Sequence, residues 1–290
     1  MLHFDRGSLA PECEELRHQV RAFIEDNRQH LPKPNSDFVT GHDAEFSEKL
    51  GAQGWIGMTW PAQYGGGEQS NFHRLVVTEE LLAAGAPVSA HWIADRQSGP
   101  LLLRFGSEAQ REKYLPGITR GESYFSIGMS EPDTGSDLAS VRTTAVAEGD
   151  AYRINGTKIW TTDAHRNHYI ICLVRTEAPS ENRHAGLSQI IVDLRNDGVK
   201  VRPIRNMAGG EDFNEVVFED VLVPKDRIVG EPGNGWQQVT SELAYERSGP
   251  ERFLSSFRVF VETVRLCGGS PLPHQAAAIG RLASHYMALR

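Results

Sequence analysis

The hydrophobic period of this chain changes twice, which limits it to a β region set between two helical ones. Leu16, Val20, Phe23 and Ile24 recur at helical spacing after Pro11 and Glu12, predicting a first helix that ends near Leu31 and Pro32. Further helices are predicted at Ala44–Ala52, Asn71–Ala84 and residues 91–105. Ser107 and Gln110 stand at capping-box spacing, where each side chain satisfies the other's free backbone donor, and open a short helix towards Leu115. After Tyr124 the texture turns to short apolar runs, Tyr169 to Val174 and Ser188 to Val192, punctuated by Gly149-Asp150 and Asn155-Gly156, as strands joined by tight turns require. The region closes with Val216-Val217-Phe218 and Val221-Leu222-Val223 before Pro224.

From Gly235 the period is helical again. Trp236, Val239 and Leu243 share a face, and Gly249-Pro250 should kink or break the helix before Phe253, Phe257, Val261 and Val264 resume it. A further helix begins near His274 and carries no stop signal by Arg290. The fold class is therefore α+β and multidomain: an N-terminal helical domain over residues 1–120, a middle antiparallel β domain over 121–231, and a C-terminal helical region over 232–290, which the resemblance given below implies is the start of a helical bundle.

Composition narrows the function. A net charge of -8 argues against a general nucleic-acid or anionic-membrane surface. Cys13, Cys172 and Cys267 are odd in number and far apart, so no disulfide framework or thiolate metal site is suggested and a reducing cytoplasm fits best. No apolar run is long enough to span a bilayer, and the residues from Met1 to Arg6 do not read as a signal peptide. His165 and His168 lack matching carboxylate or Cys partners and are placed at a loop and strand entrance, with no metal expected.

Two segments carry the chemistry. Residues 127–136 read Ile-Gly-Met-Ser-Glu-Pro-Asp-Thr-Gly-Ser, and Lys158-Ile159-Trp160-Thr161-Thr162 follows. Ser130, Thr134, Ser136 and Thr162 can donate and accept hydrogen bonds, Gly128 and Gly135 admit close backbone approach, and Trp160 adds a stiff aromatic surface. Such a set suits a flat polar ring; either segment alone reads first as a solvent-exposed turn with a core tryptophan, since short Gly/Ser motifs arise often by chance. Together, in order with the run from Gly54 to Gly66, with Gly106-Ser107-Glu108 through Pro116, with Asn155-Gly156-Thr157-Lys158 and with Glu246-Arg247, they resemble the acyl-CoA dehydrogenase family. The Glu-Pro-x-x-Gly-Ser-Asp run at 131–137, paired with Trp160-x-Thr162, is the most specific part of that resemblance.

The resemblance implies an FAD-dependent oxidoreductase acting on CH-CH bonds. In it a carboxylate removes the α-proton of an acyl-CoA thioester while the β-hydrogen moves as hydride to flavin, giving the trans-2-enoyl-CoA. Such a base must be desolvated and the nascent enolate hydrogen-bonded. Ile127, Gly128, Met129, Ser130, Gly135, Ser136, Trp160, Thr161 and Thr162 match the flavin site, with Ser130 at the pyrimidine edge, Thr162 facing N5 and Trp160 flanking the ring. Ser136, Ala244, Tyr245, Glu246 and Arg247 match substrate positions. Glu246 is the candidate base, against an ordinary exposed helix glutamate such as Glu242; other members carry the base later in the chain. Asp163 stands where asparagine is frequent in the family, and Ile127 where a tyrosine occurs. The resemblance also implies an electron-transferring flavoprotein as acceptor and a homo- or hetero-oligomer. Only the first helix and part of the second of the family's four-helix bundle are matched, as in a fragment or truncated subunit. A flavin monooxygenase or oxidase on the same fold, and a noncatalytic or truncated subunit, are the competing functions.

Overall fold

The computed structural model describes residues 9–35, 37, 39, 41–178, 180–246 and 249–289, and for residues 244–246 the backbone alone. Along the described chain run α1 (Pro11–Asp26), α2 (Ala44–Ala52), α3 (Asn71–Ala84), α4 (Ser89–Ile93), α5 (Gly99–Phe105) and α6 (Glu108–Thr119). The strands follow: β1 (Phe125–Gly128), β2 (Thr144–Glu148), β3 (Ala151–Thr162), β4 (Tyr169–Arg175), β5 (Leu187–Asp193), β6 (Val199–Ile204) and β7 (Phe213–Pro224). Then come α7 (Gly235–Glu246), α8 (Glu251–Leu254), α9 (Phe257–Cys267) and α10 (Pro273–Leu289). Backbone proximity divides the chain into two units, Met1–Ser89 with Gly249–Arg290, and Ala90–Ser248.

In the first unit the helix ends are written in side chains. Asp43 accepts the Phe46 N–H at 2.9 Å to cap α2, Ser70 caps α3, and Gly85 closes α3 in the left-handed region at φ +69°. Helix α1 ends at Asp26, a few residues before the expected stop, because a short 3-10 turn at Arg28–His30 takes over. Its buried face includes Arg17, whose guanidinium is bonded to Glu14, Glu79 and Glu80. The break expected at Gly249-Pro250 separates α7 from α8, and Tyr286 of α10 packs its ring against Phe257 and Phe260 of α9 at 5.1 and 5.2 Å. The apolar stripe expected on α9 stays largely uncovered, with Val261 and Val264 exposed.

In the second unit the expected helix at 91–105 is three pieces, because a π-helical turn at Ala94–Ser98 joins α4 to α5. The capping box on α6 is present, with Gln110 N donating to Ser107 Oγ at 3.2 Å and Ser107 N to Gln110 Oε1 at 3.2 Å. The Gln110 amide also donates to the carbonyls of Asp226 and Ile228, tying α6 to the segment after β7. One seven-stranded sheet runs in the order β1–β4–β2–β3–β7–β6, with β5 paired to β4. The pairs are mainly antiparallel, as the tight turns lead one to expect, but β4 runs parallel to both β1 and β2, the connections being long enough to cross over. Ile154, Ile170, Ile190, Val192, Val216 and Phe218 form the buried heart of the sheet. A smaller cluster of Val141, Leu173, Leu187 and Val239 takes in Trp236 and Leu243, so the shared face expected for α7 is the one that packs on the sheet.

Candidate active site

Strand β3 does not run regularly into the Trp160 segment. Lys158 pairs with Val216 and Thr161 with Asn214, so three steps on β3 face two on β7: a β-bulge. Trp160 takes up the extra residue in the left-handed region at φ +60°, an uncommon conformation for a bulky side chain, and is 57% exposed, with its ring edge-on to Phe213 at 6.2 Å. On either side the chain turns inward. Thr161 is fully buried with its carbonyl accepting from Asn214 Nδ2 at 2.9 Å, and Asp163 N donates to Asp212 O at 2.8 Å.

The free edge of this bulge is covered by the hydroxyl-rich loop. Ile159 N donates to Ser130 O at 2.9 Å, and Ser126 Oγ to Thr162 O at 2.7 Å. Glu131 and Thr134 exchange two backbone hydrogen bonds at 2.8 and 2.9 Å, which closes the loop on itself. Beneath it Lys158, with no exposed surface, donates to Met129 O at 3.1 Å and to Glu131 Oε1 at 2.8 Å. The Glu131 carboxylate accepts in turn from Arg142 N at 2.6 Å and Thr143 N at 2.9 Å. Burial pushes the Glu131 carboxyl up, but Lys158 and these hydrogen bonds outweigh it and hold it below the ordinary carboxylate range. Burial likewise pushes the neighbouring Cys172 thiol up to about 12.

The sequence-derived residues thus fall into distinct settings. Ile127, Met129, Ser130 and Thr162 are half-buried beside exposed Trp160, a small rim of hydroxyls and apolar atoms next to an aromatic face. Gly135 and Ser136 are exposed at the loop's outer end, and a Cβ on Gly135 would meet no atom within 4 Å, so nothing in the chain itself fills that approach. Gly128 serves packing: a Cβ there would lie 2.7 Å from Ile170 Cδ1 and 3.0 Å from Cys172 Sγ. Thr161 is enclosed, side chain and backbone alike, and packs beneath the rim. Rim, aromatic face and open approach together fit a planar polar ring such as an isoalloxazine.

Helix α7 reaches Glu246, and its Leu243 packs on the same apolar cluster as Met129. The side chains of Ala244, Tyr245 and Glu246, and all of Arg247, lie outside the described residues. Glu242 is not the exposed glutamate expected from the sequence: it is buried and accepts from Gln189 Nε2 at 2.9 Å, because this turn of α7 faces β5. The two histidines are structural, His165 bonded to Asn214 at 2.9 Å and His168 accepting Tyr124 N at 3.1 Å while stacked on its ring. Among the described residues no group of three or more His, Cys, Asp or Glu is placed to hold a metal ion, and no helix is long and apolar enough to cross a membrane. Sequence reasoning missed the Lys158–Glu131 pair; a lysine midway along an otherwise half-buried strand was the available signal.

Comparison with known proteins identifies the family. Residues 10–122 match the acyl-CoA dehydrogenase N-terminal domain and residues 126–221 the acyl-CoA dehydrogenase middle domain. Acyl-CoA dehydrogenase IpdE1 of Mycobacterium tuberculosis is 38% identical over 244 residues, covering 81% of this chain and 63% of its own length. The chain therefore spans under two thirds of that relative. Among solved structures, the Tcur3481-Tcur3483 steroid ACAD superposes with a TM-score of 0.84 at 32% identity, covering 97% of this chain and 75% of the other. The ChsE4-ChsE5 complex from Mycobacterium tuberculosis gives 0.81 at 31% identity over 98% and 75%. Two domain matches in sequence order and a relative of this identity establish that the chain belongs to the acyl-CoA dehydrogenase family.

Proposed function

We propose that this chain carries the flavin and thioester site of an FAD-dependent acyl-CoA dehydrogenase, converting an acyl-CoA to its trans-2-enoyl-CoA. The observation that carries the reading is the Ile159–Ser130 hydrogen bond, which joins the loop at 129–134 to the bulge that exposes Trp160. When bound, FAD supplies the sink for the β-hydrogen and its electron pair. Ser130 and Thr162 would hold the polar edge of the ring by hydrogen bonds, with Ile127, Met129 and Gly135 shaping the rim, Gly128 and Thr161 packed beneath it and Trp160 flanking the ring. Ser136, on the exposed end of the loop, contacts the CoA portion. Glu246, with Ala244, Tyr245 and Arg247 lining the substrate side, would take the α-proton of the thioester.

The division into residues 1–120, 121–231 and 232–290, a cytoplasmic location, an electron-transferring flavoprotein as acceptor and oligomeric assembly belong to the same proposal. A second reading, a subunit that supports an active partner, draws on two solved neighbours that are each named as a pair of proteins, Tcur3481-Tcur3483 and ChsE4-ChsE5. The steroid enzyme among them puts bulky polycyclic thioesters alongside straight and branched ones in the set to be screened.

Anaerobic mixing of the FAD-loaded protein with acyl-CoAs tests the reading. Flavin absorbance should bleach with enoyl-CoA formed, and Glu246→Gln should abolish bleaching. Unimpaired bleaching in that variant places the base elsewhere. Oxygen consumption without enoyl-CoA would make the protein an oxidase or monooxygenase, and bleaching only when a second chain is added would favour the supporting-subunit reading.

A further inference from the structure

We propose that the buried Lys158–Glu131 pair is a positioning device that sets the spacing between the hydroxyl loop and the tryptophan bulge; the inference rests on the flavin-site reading above. Lys158 is a positioning residue and not a catalytic one. Its ammonium is enclosed, and both of its described bonds go to the segment on either side of Ser130: the Met129 carbonyl before it and the Glu131 carboxylate after it. The next residue along β3, Ile159, donates to Ser130 itself. Three successive loop residues are thus held by two successive strand residues.

The far side of the clamp is also backbone. Glu131 gathers the N–H groups of Arg142 and Thr143, which lead into β2, so one carboxylate joins the loop to the start of the next strand. Arg175 at the end of β4 reaches the same stretch, donating to Ala139 O at 2.9 Å and Val141 O at 3.3 Å. None of these bonds is part of a regular ladder. The bulge has broken the β3–β7 pairing at this point, and a left-handed tryptophan persists only where its surroundings over-determine it. A side-chain charge pair contributes to that determination: it ties the loop at Met129 and Glu131 to the strand beside the bulge, and to the start of β2, by charge-assisted bonds to backbone groups that no ladder reaches. An ion pair serving stability alone would need only the two side chains to meet.

The test uses the full 290-residue chain and three variants: Lys158→Met, Glu131→Gln, and Val192→Ala in β5 as a control that loosens the core without touching the clamp. Amide hydrogen exchange without cofactor is expected to speed up at least tenfold over residues 129–134 and 159–162 in Lys158→Met, while β4 and β5 keep their protection. FAD titration should show at least a tenfold weaker dissociation constant and an altered visible spectrum of the bound flavin, neither seen in Val192→Ala. Should Lys158→Met fail to fold, Glu131→Gln is read in the same two ways, with the same direction expected. Exchange rates in the two segments unchanged from wild type, or losses shared evenly with the control, would overturn the clamp. Wild-type chain that binds no FAD would sink the flavin reading, and the exchange arm would still decide the clamp.

Discussion

Arg17 and Lys158 are both buried cations, and they are held in opposite ways. Arg17 sits on α1 and bonds side chains only, the carboxylates of Glu14, Glu79 and Glu80, with Glu80 shared by Arg21. Lys158 bonds one carboxylate and one backbone carbonyl, and that carboxylate in turn holds two backbone amides. Helices satisfy their own backbone, so a charge among them ties side chain to side chain. Beside the bulge the loop segments at 129–131 and 142–143 belong to no ladder, and the charge pair gives their backbone groups partners.

This contrast ranks the effects of substitution. Lys158→Met leaves the enclosed Glu131 carboxylate without its counter-charge and should cost about 3–5 kcal/mol in chemical denaturation. Arg17→Met removes more ion pairs yet should cost less, about 1–3 kcal/mol, because Glu80 keeps Arg21 and Glu14 is half exposed to water. Equal or reversed losses would break the comparison.

Acid should separate the two regions next. The Glu131 pKa is depressed in the fold, so its contribution to stability is present above the ordinary carboxylate value of about 4.3 and is lost as pH falls through the depressed one. A pH series of denaturation midpoints should therefore fall less steeply below about pH 4 for Glu131→Gln than for wild type. Parallel curves would mean that the pair does not couple folding to protons. The smallest effect concerns access. With its thiol pushed up to about 12 inside the same enclosed pocket, Cys172 should resist alkylation at neutral pH while half-buried Cys267 reacts, as peptide mass mapping would show. Native labelling of Cys172 would show that the pocket opens.

Local signals carried most of the fold into the sequence. Helices α2 and α3 lie where the apolar period puts them, and the Ser107–Gln110 capping box is present, because these features are written within four residues of one another. The short apolar runs of β4 and β5 likewise announced strands, and both are buried along nearly their whole length. What escaped was non-local. The Lys158–Glu131 bond spans 27 residues, Gln189 reaches Glu242 across 53, and neither leaves a periodic trace. The bulge escaped for a related reason: Trp160 is no glycine or asparagine, so nothing in its identity marks a left-handed residue. For the candidate site, the motif carried the residue types but not their burial. Gly128 and Thr161 turned out to serve packing with their side-chain positions, while Ser130, Thr162 and Trp160 are accessible at the rim.

The most direct measurement is an FAD titration of the chain, followed by tryptophan fluorescence, in wild type, Ser130→Ala, Thr162→Ala and Trp160→Phe. The account expects one FAD per chain, weaker binding by about tenfold on losing either hydroxyl's hydrogen bond, and loss of most of the quenching in the tryptophan variant. Absence of binding, or binding that all three substitutions leave untouched, would contradict it.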